Sequence, residues 1–377
     1  MLITIFWVLL IASLYSYFFY PFILLVLARN SKSVSRQDDE PKKYSLIVTV
    51  YNEKYRIEEK LKNLMSLEFE PDRMEIIVAS DASDDGTDEI VEGYADQGIK
   101  LVRAPDRLGK ENAQLAAIQV AEGNILVFSD VATIMKKDAI DKLDSYFTDD
   151  SIGAVSSEDR FIGKNGQVAG EGAYVKYEMW LRSQESKLGG LIGLSGSFFA
   201  ARKKVCQDWD IHSPSDFNTA LNCARMGYRS VSAPDVLGFY EDLKDPSKEY
   251  ARKVRTVLRG MTGLSRHTDV LNPSKFGVFA FQVFSHKLMR WGVPWFLALF
   301  FVVSVAVVNH GWIYQLALIG QFLFYFLALL AHLNEQVRSY SLVKLVYFFV
   351  QVNIALMDSA MKFFTGTRMT TWKPSAR

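Results

Sequence analysis

The chain has only two cysteines, Cys206 and Cys223, among 377 residues, and no CxxC pair. Disulfides therefore cannot carry the fold, and two lone thiols suit a reducing compartment. Charge bias is also missing. Lysine and arginine number 43 against 42 acidic residues, so nothing favours nucleic acid as a partner. The five histidines, at 212, 267, 286, 310 and 332, never fall into HExxH or a comparable metal-binding spacing, which argues against zinc chemistry. Ser195 and Ser197 sit among glycines but do not match GxSxG, so a nucleophile elbow is absent. No internal repeat or low-complexity tract is found.

Charge is missing altogether from residues 1–28. A membrane-spanning helix needs about 20 apolar residues, and this run qualifies. It has neither the cationic start nor the small-residue cleavage site of a signal peptide. Arg29, Lys32, Arg36, Lys42 and Lys43 follow it, and basic flanks favour the cytosolic side. The expectation is an N-terminal anchor, a polar linker over 29–43, and a cytosolic middle region. From Phe276 the chain turns apolar again. Trp291–Val308 and Trp312–His332 read as spans joined at Asn309-His-Gly. Leu342–Phe364 is weaker because it holds Lys344, Gln351, Asn353, Asp358 and Lys362. The membrane region is placed at 276–365, with two or three spans, and the tail at 366–377. Four spans starting outside would leave that tail outside, whereas Arg368, Lys373 and Arg377 favour the cytosol.

Between these ends, residues 44–270 alternate between strand and helix patterns. Strands are expected at Ser45–Tyr51, Met74–Ser80, Ile99–Arg103 and Ile125–Asp130. Helices are expected at Arg56–Leu67, with Ile57, Leu61, Leu64 and Met65 on one face, at Thr87–Tyr94 and at Ala113–Ala121. A β-α-β-α-β order predicts a parallel, doubly wound α/β sheet. Beyond it, strands are read at Ile152–Ser156, Ile192–Ala200 and Tyr228–Ser232, a loop at Gly163–Gly172, and helices at Tyr174–Lys187 and from Asp216. At about 100° per residue, a helix over 246–266 places Lys248, Arg252, Arg255, Arg259 and Arg266 on one side. Tyr250, Val254, Val257, Leu258, Met261 and Leu264 take the other. Such a face can lie on a membrane surface or present guanidinium groups to phosphate.

Open α/β sheets bind ligands at the carboxyl ends of their strands. Two strands here end in Asp81 and Asp130, which read together as a nucleotide and metal pocket. Carboxylate oxygens suit Mg2+ or Mn2+. Asp84, Asp85 and Asp88, just after Asp81, read as turn or capping residues. Gly109-Lys110 opens a helix and can meet a phosphate there. Asp216 also stands at a helix start, as a cap or as a general base.

Val50-Tyr-Asn-Glu53, Ser80-Asp-Ala-Ser-Asp-Asp-Gly-Thr87, Gly109-Lys110, Phe128-Ser-Asp130, Ser195-Gly-Ser197, Ser215-Asp216 and Arg252-Lys-Val-Arg255 follow one another in the order of the family 2 glycosyltransferase motifs. The chain resembles that family over roughly 44–266, including its branch of cellulose, hyaluronan and poly-N-acetylglucosamine synthases. The resemblance implies a GT-A-type nucleotide-sugar domain flanked by transmembrane helices, and an inverting, metal-dependent reaction with Mg2+ or Mn2+. It implies that Tyr51, Glu53 and Asp81 hold uracil and ribose, with Lys110 near the nucleotide. Asp130 would bind metal and diphosphate, and Ser195, Gly196 and Ser197 would border the acceptor. Asp216 would act as base, and Arg255 would stabilise the leaving diphosphate. The implied partners are a UDP-sugar donor, a lipid-linked or glycan acceptor, and glycan-export or assembly proteins. The implied location is the cell membrane, multi-pass, with the catalytic domain in the cytosol.

Three positions depart from the family pattern. The D-x-D reads Asp130-Val131-Ala132, so one metal carboxylate is replaced, and Thr133 or a water is left to compensate. The acidic pair reads Ser215-Asp216, keeping the second acid. The R/Q-x-x-R-W pattern ends in Thr256, which argues against long-chain synthesis. Two rivals remain open: a polyprenyl-phosphate sugar transferase, whose anionic acceptor needs no base, and a non-catalytic membrane subunit that retains the fold.

Overall fold

A computed structural model describes residues 1–29, 37, 40–162, 173–241 and 246–369. The Gly163–Gly172 loop, most of the linker, the Lys248 side chain, and Lys373 and Arg377 of the tail lie outside the described residues. The chain divides into two units. One gathers residues 1–25, 245–261 and 282–368; the other is built on 26–244 and 262–281.

The second unit is an α/β domain around eight strands: β1 Tyr44–Val50, β2 Met74–Ser80, β3 Ile99–Arg103, β4 Ile125–Asp130, β5 Ile134–Met135, β6 Ile152–Ile162, β7 Phe198–Arg202 and β8 Arg229–Glu241. Their order is β3-β2-β1-β4-β7-β6-β8-β5. The first four are parallel, as the alternation of strand and helix predicts. Beyond them the sheet is mixed: β7 runs antiparallel to both β4 and β6. Two-residue periodicity sorts the strand side chains between the faces. Tyr44, Leu46, Val48 and Val50 of β1 join Ile125 and Val127 of β4 in one core. There they meet Ile57, Leu61 and Leu64 of the helix Ile57–Met65. Ile47, Leu126 and Phe128 point the other way, onto Ala113 and Ala117 of the helix Lys110–Val120 and onto Ala220 and Cys223 of the helix Ser215–Arg225. Both cysteines are buried and free, and burial raises their thiol pKa values.

Three expectations are corrected. Met65 is 38% exposed and Lys60 fully buried. On a helix wheel Lys60 and Met65 flank the arc of Leu64, Ile57 and Leu61, each about 40° beyond one edge, so spacing alone does not choose between them. Residues 192–197 form a loop, and the strand begins only at Phe198. Backbone bonds there reach sideways instead, from Leu194 N to the Asp216 carbonyl (3.2 Å) and from Asp130 N to the Ser197 carbonyl (2.9 Å). Arg266, placed on the basic stripe, forms a two-bond fork with Asp210, at 2.6 and 3.1 Å.

The helical runs Leu2–Arg29, Pro273–His310, Trp312–Leu333 and Ser341–Phe364, most of whose length lies in the first unit, are long and apolar enough to cross a membrane. The weakest of the sequence runs is therefore among them. Phe6 is buried against Phe300 and Tyr314, with ring centroids 4.9 and 5.0 Å apart. Gln321 Nε2 donates to Ser304 Oγ at 2.8 Å, a polar tie of the kind that joins helices in lipid.

Phe128 stacks between Phe199 and Trp209, with centroids 4.8 and 5.1 Å away. Phe128→Ala is expected to cost about 3–5 kcal/mol, measured by denaturant unfolding of the detergent-purified protein. A loss below about 1 kcal/mol would contradict this packing.

Candidate active site

The tips of β1, β2 and β4 all end at one edge of the sheet. Past β1 the chain turns through Asn52, which has φ +52°. Asn52 Nδ2 donates to Asp84 at 2.7 Å, and its amide oxygen accepts from Asp84 N at 3.0 Å. Asp85 accepts from Thr87 N and Lys54 N, and Asp88 pairs with Arg103. Asp84 and Asp85 thus lace two turns together, as turn and capping residues do, while Asp88 ties its own helix to the end of β3. Glu53 lies in this lacing: its N–H donates to Thr87 Oγ1 at 2.8 Å, and its carboxylate accepts from Arg56 at 3.3 Å. The Tyr51 ring has the Arg107 guanidinium 3.7 Å from its centroid.

Asp81 is fully buried. One oxygen accepts from Gly109 N at 3.0 Å; the other is buried without a hydrogen bond. Burial raises its pKa, only partly opposed by the Gly109 and Leu108 N–H groups and by Arg107. Gly109 has φ +112°, a conformation suited to glycine, and it starts the helix that carries Lys110.

Lys110 draws the two halves of the sheet together. Its Nζ lies 2.5 Å from Asp130 Oδ1 at the tip of β4 and 2.8 Å from the Gly196 carbonyl. Gly196 also packs against Asp216: a β-carbon at Gly196 would lie 3.6 Å from the Asp216 Cγ. Lys110, Asp130, Gly196 and Asp216 are therefore neighbours, with Ser195 and Ser197 on either side of the glycine. Gly263 packs close to Phe217 and Pro214 at the start of the Asp216 helix. Asp210 fixes the preceding loop through Arg266, His212 N and Ser213 Oγ. Burial pushes the Asp210 carboxyl up, but these bonds outweigh it and hold its pKa well below the usual range. Arg255 belongs to the other unit, on the helix Pro246–Arg266.

Two contributors were not singled out from the sequence. Asp159 of β6 accepts from Ser195 Oγ at 2.7 Å and from Ser197 Oγ at 2.5 Å. Lys60 lies beneath β4, donating to Ser129 Oγ at 2.8 Å and to the Thr133 carbonyl at 2.5 Å. Its place beside the apolar arc of its helix was a partial signal for Lys60; Asp159 had none. Among the described residues no three acidic, histidine or cysteine side chains converge as a metal cage. A cation held by one or two carboxylates plus substrate phosphates needs no cage. The partly exposed Asp130 carboxylate fits that role.

A family model, Glycosyl transferase family 2, matches residues 45–209. The poly-beta-1,6-N-acetyl-D-glucosamine synthase of Staphylococcus aureus (strain COL) is 25% identical over 205 residues, 52% of this chain and 49% of that protein. The Staphylococcus epidermidis enzyme of the same name is 26% identical over 217 residues, 55% and 50% of the two chains. The chain thus spans about half the length of these curated relatives. Among solved structures, the mannosyltransferase PcManGT from Pyrobaculum calidifontis, in complex with GDP-Man and Mn2+, has a TM-score of 0.74. It covers 97% of this chain and 99% of its own at 22% identity, a likeness of fold.

Lys60 gives the site a pH signature. Burial drives its pKa from 10.5 to about 7, against an upward pull from Asp130. Between these values the unfolded chain holds a proton that the folded chain lacks. Stability therefore rises with pH across that window, by up to about 1.4 kcal/mol per unit. Subtracting the stability–pH curve of Lys60→Met from that of wild type is expected to isolate this slope. Parallel curves from pH 7 to 10 would refute it.

Proposed function

Residues 45–209 form a family 2 glycosyltransferase domain, and from that premise we propose that the chain is a membrane-anchored inverting transferase. It would move a sugar from a nucleotide donor, UDP-linked, to a hydroxyl of a lipid-linked or glycan acceptor. One observation carries the reading: a single glycine peptide separates the Lys110–Asp130 pair from the Asp216 carboxylate. A leaving diphosphate and an acceptor hydroxyl must flank one anomeric carbon, and the closeness of these groups supports that arrangement.

In this reading Asp216 accepts the acceptor proton. The acceptor oxygen forms a bond to the anomeric carbon while the opposite carbon–oxygen bond, to the diphosphate, breaks. Configuration inverts, and the nucleoside diphosphate leaves with the bonding pair. Lys110 places an ammonium beside Asp130, where developing negative charge is stabilised by groups already in position. Asp130 would hold Mg2+ or Mn2+ with the donor's diphosphate oxygens; when bound, that cation offsets diphosphate charge. Asp81 offers its unpartnered oxygen to a ribose hydroxyl, while Tyr51 and Glu53 line the base side. Ser195, Gly196 and Ser197 border the acceptor, and stabilising the leaving diphosphate is the role that the family resemblance would give Arg255. The four apolar helical runs support a multi-pass membrane location with the α/β domain in the cytosol. Glycan-export or assembly proteins would be its partners there.

The test uses the full chain in membranes with a panel of radiolabelled nucleotide sugars, followed into lipid and polymer fractions. Transfer from one donor is expected. Asp216→Asn should lower it by about 10²–10⁴-fold while nucleotide binding persists. Asp130→Ala should abolish cation-dependent nucleotide binding. Label transfer that survives Asp216→Asn would instead indicate an anionic acceptor that needs no base. Nucleotide binding without transfer from any donor would indicate a non-catalytic subunit.

A further inference from the structure

We propose that Asp159 is a positioning residue, which clamps the Ser195–Ser197 turn and thereby sets the separation between Asp130 and Asp216. The proposal rests on the transferase reading above. Among the described residues Asp159 bonds to Ser195 and Ser197 and to neither of those carboxylates, so it acts through the turn. Each serine hydroxyl has one proton, and both protons go to Asp159, one to each oxygen. The two hydroxyl oxygens are then 2.9 Å apart. An ionised carboxylate is a forked acceptor with no donor, so it suits two converging hydroxyl donors.

The strand is shaped for this role. Pairing of β6 with β8 slips between Ser156 and Glu158, and Asp159 then faces Gly238. Bulges of this kind re-aim side chains next to active sites. A β-carbon at Gly238 would lie 2.9 Å from Thr133 Cγ2, too close to fit unless Thr133 moved, and 3.6 Å from Asp159 Oδ1, an ordinary contact. Further bonds hold the turn at its start. Ser195 N donates to Ser156 Oγ at 2.8 Å, and Arg182 bridges that hydroxyl to the Gly193 carbonyl, with both bonds 2.9 Å. With both serines held, the Gly196 carbonyl points at Lys110, and the glycine's bare α-carbon leaves space against Asp216. Ser197 also accepts from Asp130 N through its carbonyl. The clamp thus meets the donor side and the acceptor side within three residues. Burial, with the nearby Asp130 charge, raises the Asp159 pKa, and the Ser197 and Ser195 hydrogen bonds and Arg182 oppose that only in part.

The test compares wild type, Asp159→Asn and Asp159→Asn/Ser197→Ala in full-length protein, by transfer kinetics and by equilibrium binding of UDP with Mn2+. An asparagine at 159 turns a donor toward one of the hydroxyls, and the turn shifts. Displacing catalytic groups by about 1 Å costs about 10²-fold. A loss of that order in kcat/KM for the acceptor is expected, with UDP–Mn2+ affinity within about threefold of wild type. Removing the conflicting hydroxyl in the double variant should recover part of the rate. If UDP–Mn2+ binding falls with turnover, Asp159 belongs to the cation site and the inference fails. It fails equally if Asp159→Asn transfers like wild type, or if the double variant is no better than the single one. Should Asp159→Asn not fold, Ser195→Ala/Ser197→Ala, which removes both donors, must show the same split between acceptor kinetics and UDP binding. Absence of transfer by wild type with every donor would overturn the underlying reading, whatever the variants show.

Discussion

Lys110, Asp130 and the Gly196 carbonyl meet at one ammonium group, and the domain's arrangement follows from that meeting. Each partner comes from a different element: a helix start, a strand end, and the loop between the helix Ala173–Lys187 and β7. Lys110 is 7% exposed, so its charge is largely removed from water and needs both oxygens. Burying such a charge without partners would cost several kcal/mol. The parallel strands supply the carboxylate, and the antiparallel addition supplies the carbonyl. Asp130 in turn lies between two lysines, Lys110 at its tip and Lys60 behind its strand; its charge pulls the Lys60 pKa up, but burial outweighs that pull and lowers it.

Much of this half was legible in the sequence. Four apolar runs ending at polar or acidic residues suffice to predict parallel strands, because alternation and helix spacing are local properties. Asp81 and Asp130 declared themselves by ending such runs. Asp216 was legible as a helix-start acid, but its nearness to Gly196 depends on Leu194 bonding across to its backbone, a long-range choice. The loop over 192–197 was misread as strand for the same reason: its apolar residues suit a strand, yet its amides bond outside any ladder. Asp159 gave no signal, since a carboxylate in Glu-Asp-Arg reads as solvated until its two serines arrive from elsewhere in the chain. Arg266 was misassigned because helical geometry gives its direction but not its partner, Asp210.

The apolar unit follows a different logic. Its helices carry large side chains outward, such as Val302 at 63% and Leu323 at 62% exposure. In water such a surface would be a liability; in hydrocarbon it is the solvent-facing side. Contacts between these helices include packed rings and a polar tie, the kinds of contact that would give specificity in lipid.

The antiparallel join between β4 and β7 has a consequence for how the protein is made. Strands β1 to β4 are complete once Asp130 leaves the ribosome, whereas the chain that covers β4 starts about seventy residues later, at Phe198. Until it arrives, the nascent domain presents a bare row of amides and carbonyls along an apolar strand, the feature through which sheets stick to strangers. Synthesis proceeds at about 5–20 residues per second, so this interval lasts several seconds. The strand that follows the Ser195–Ser197 turn is thus also the one that closes this edge.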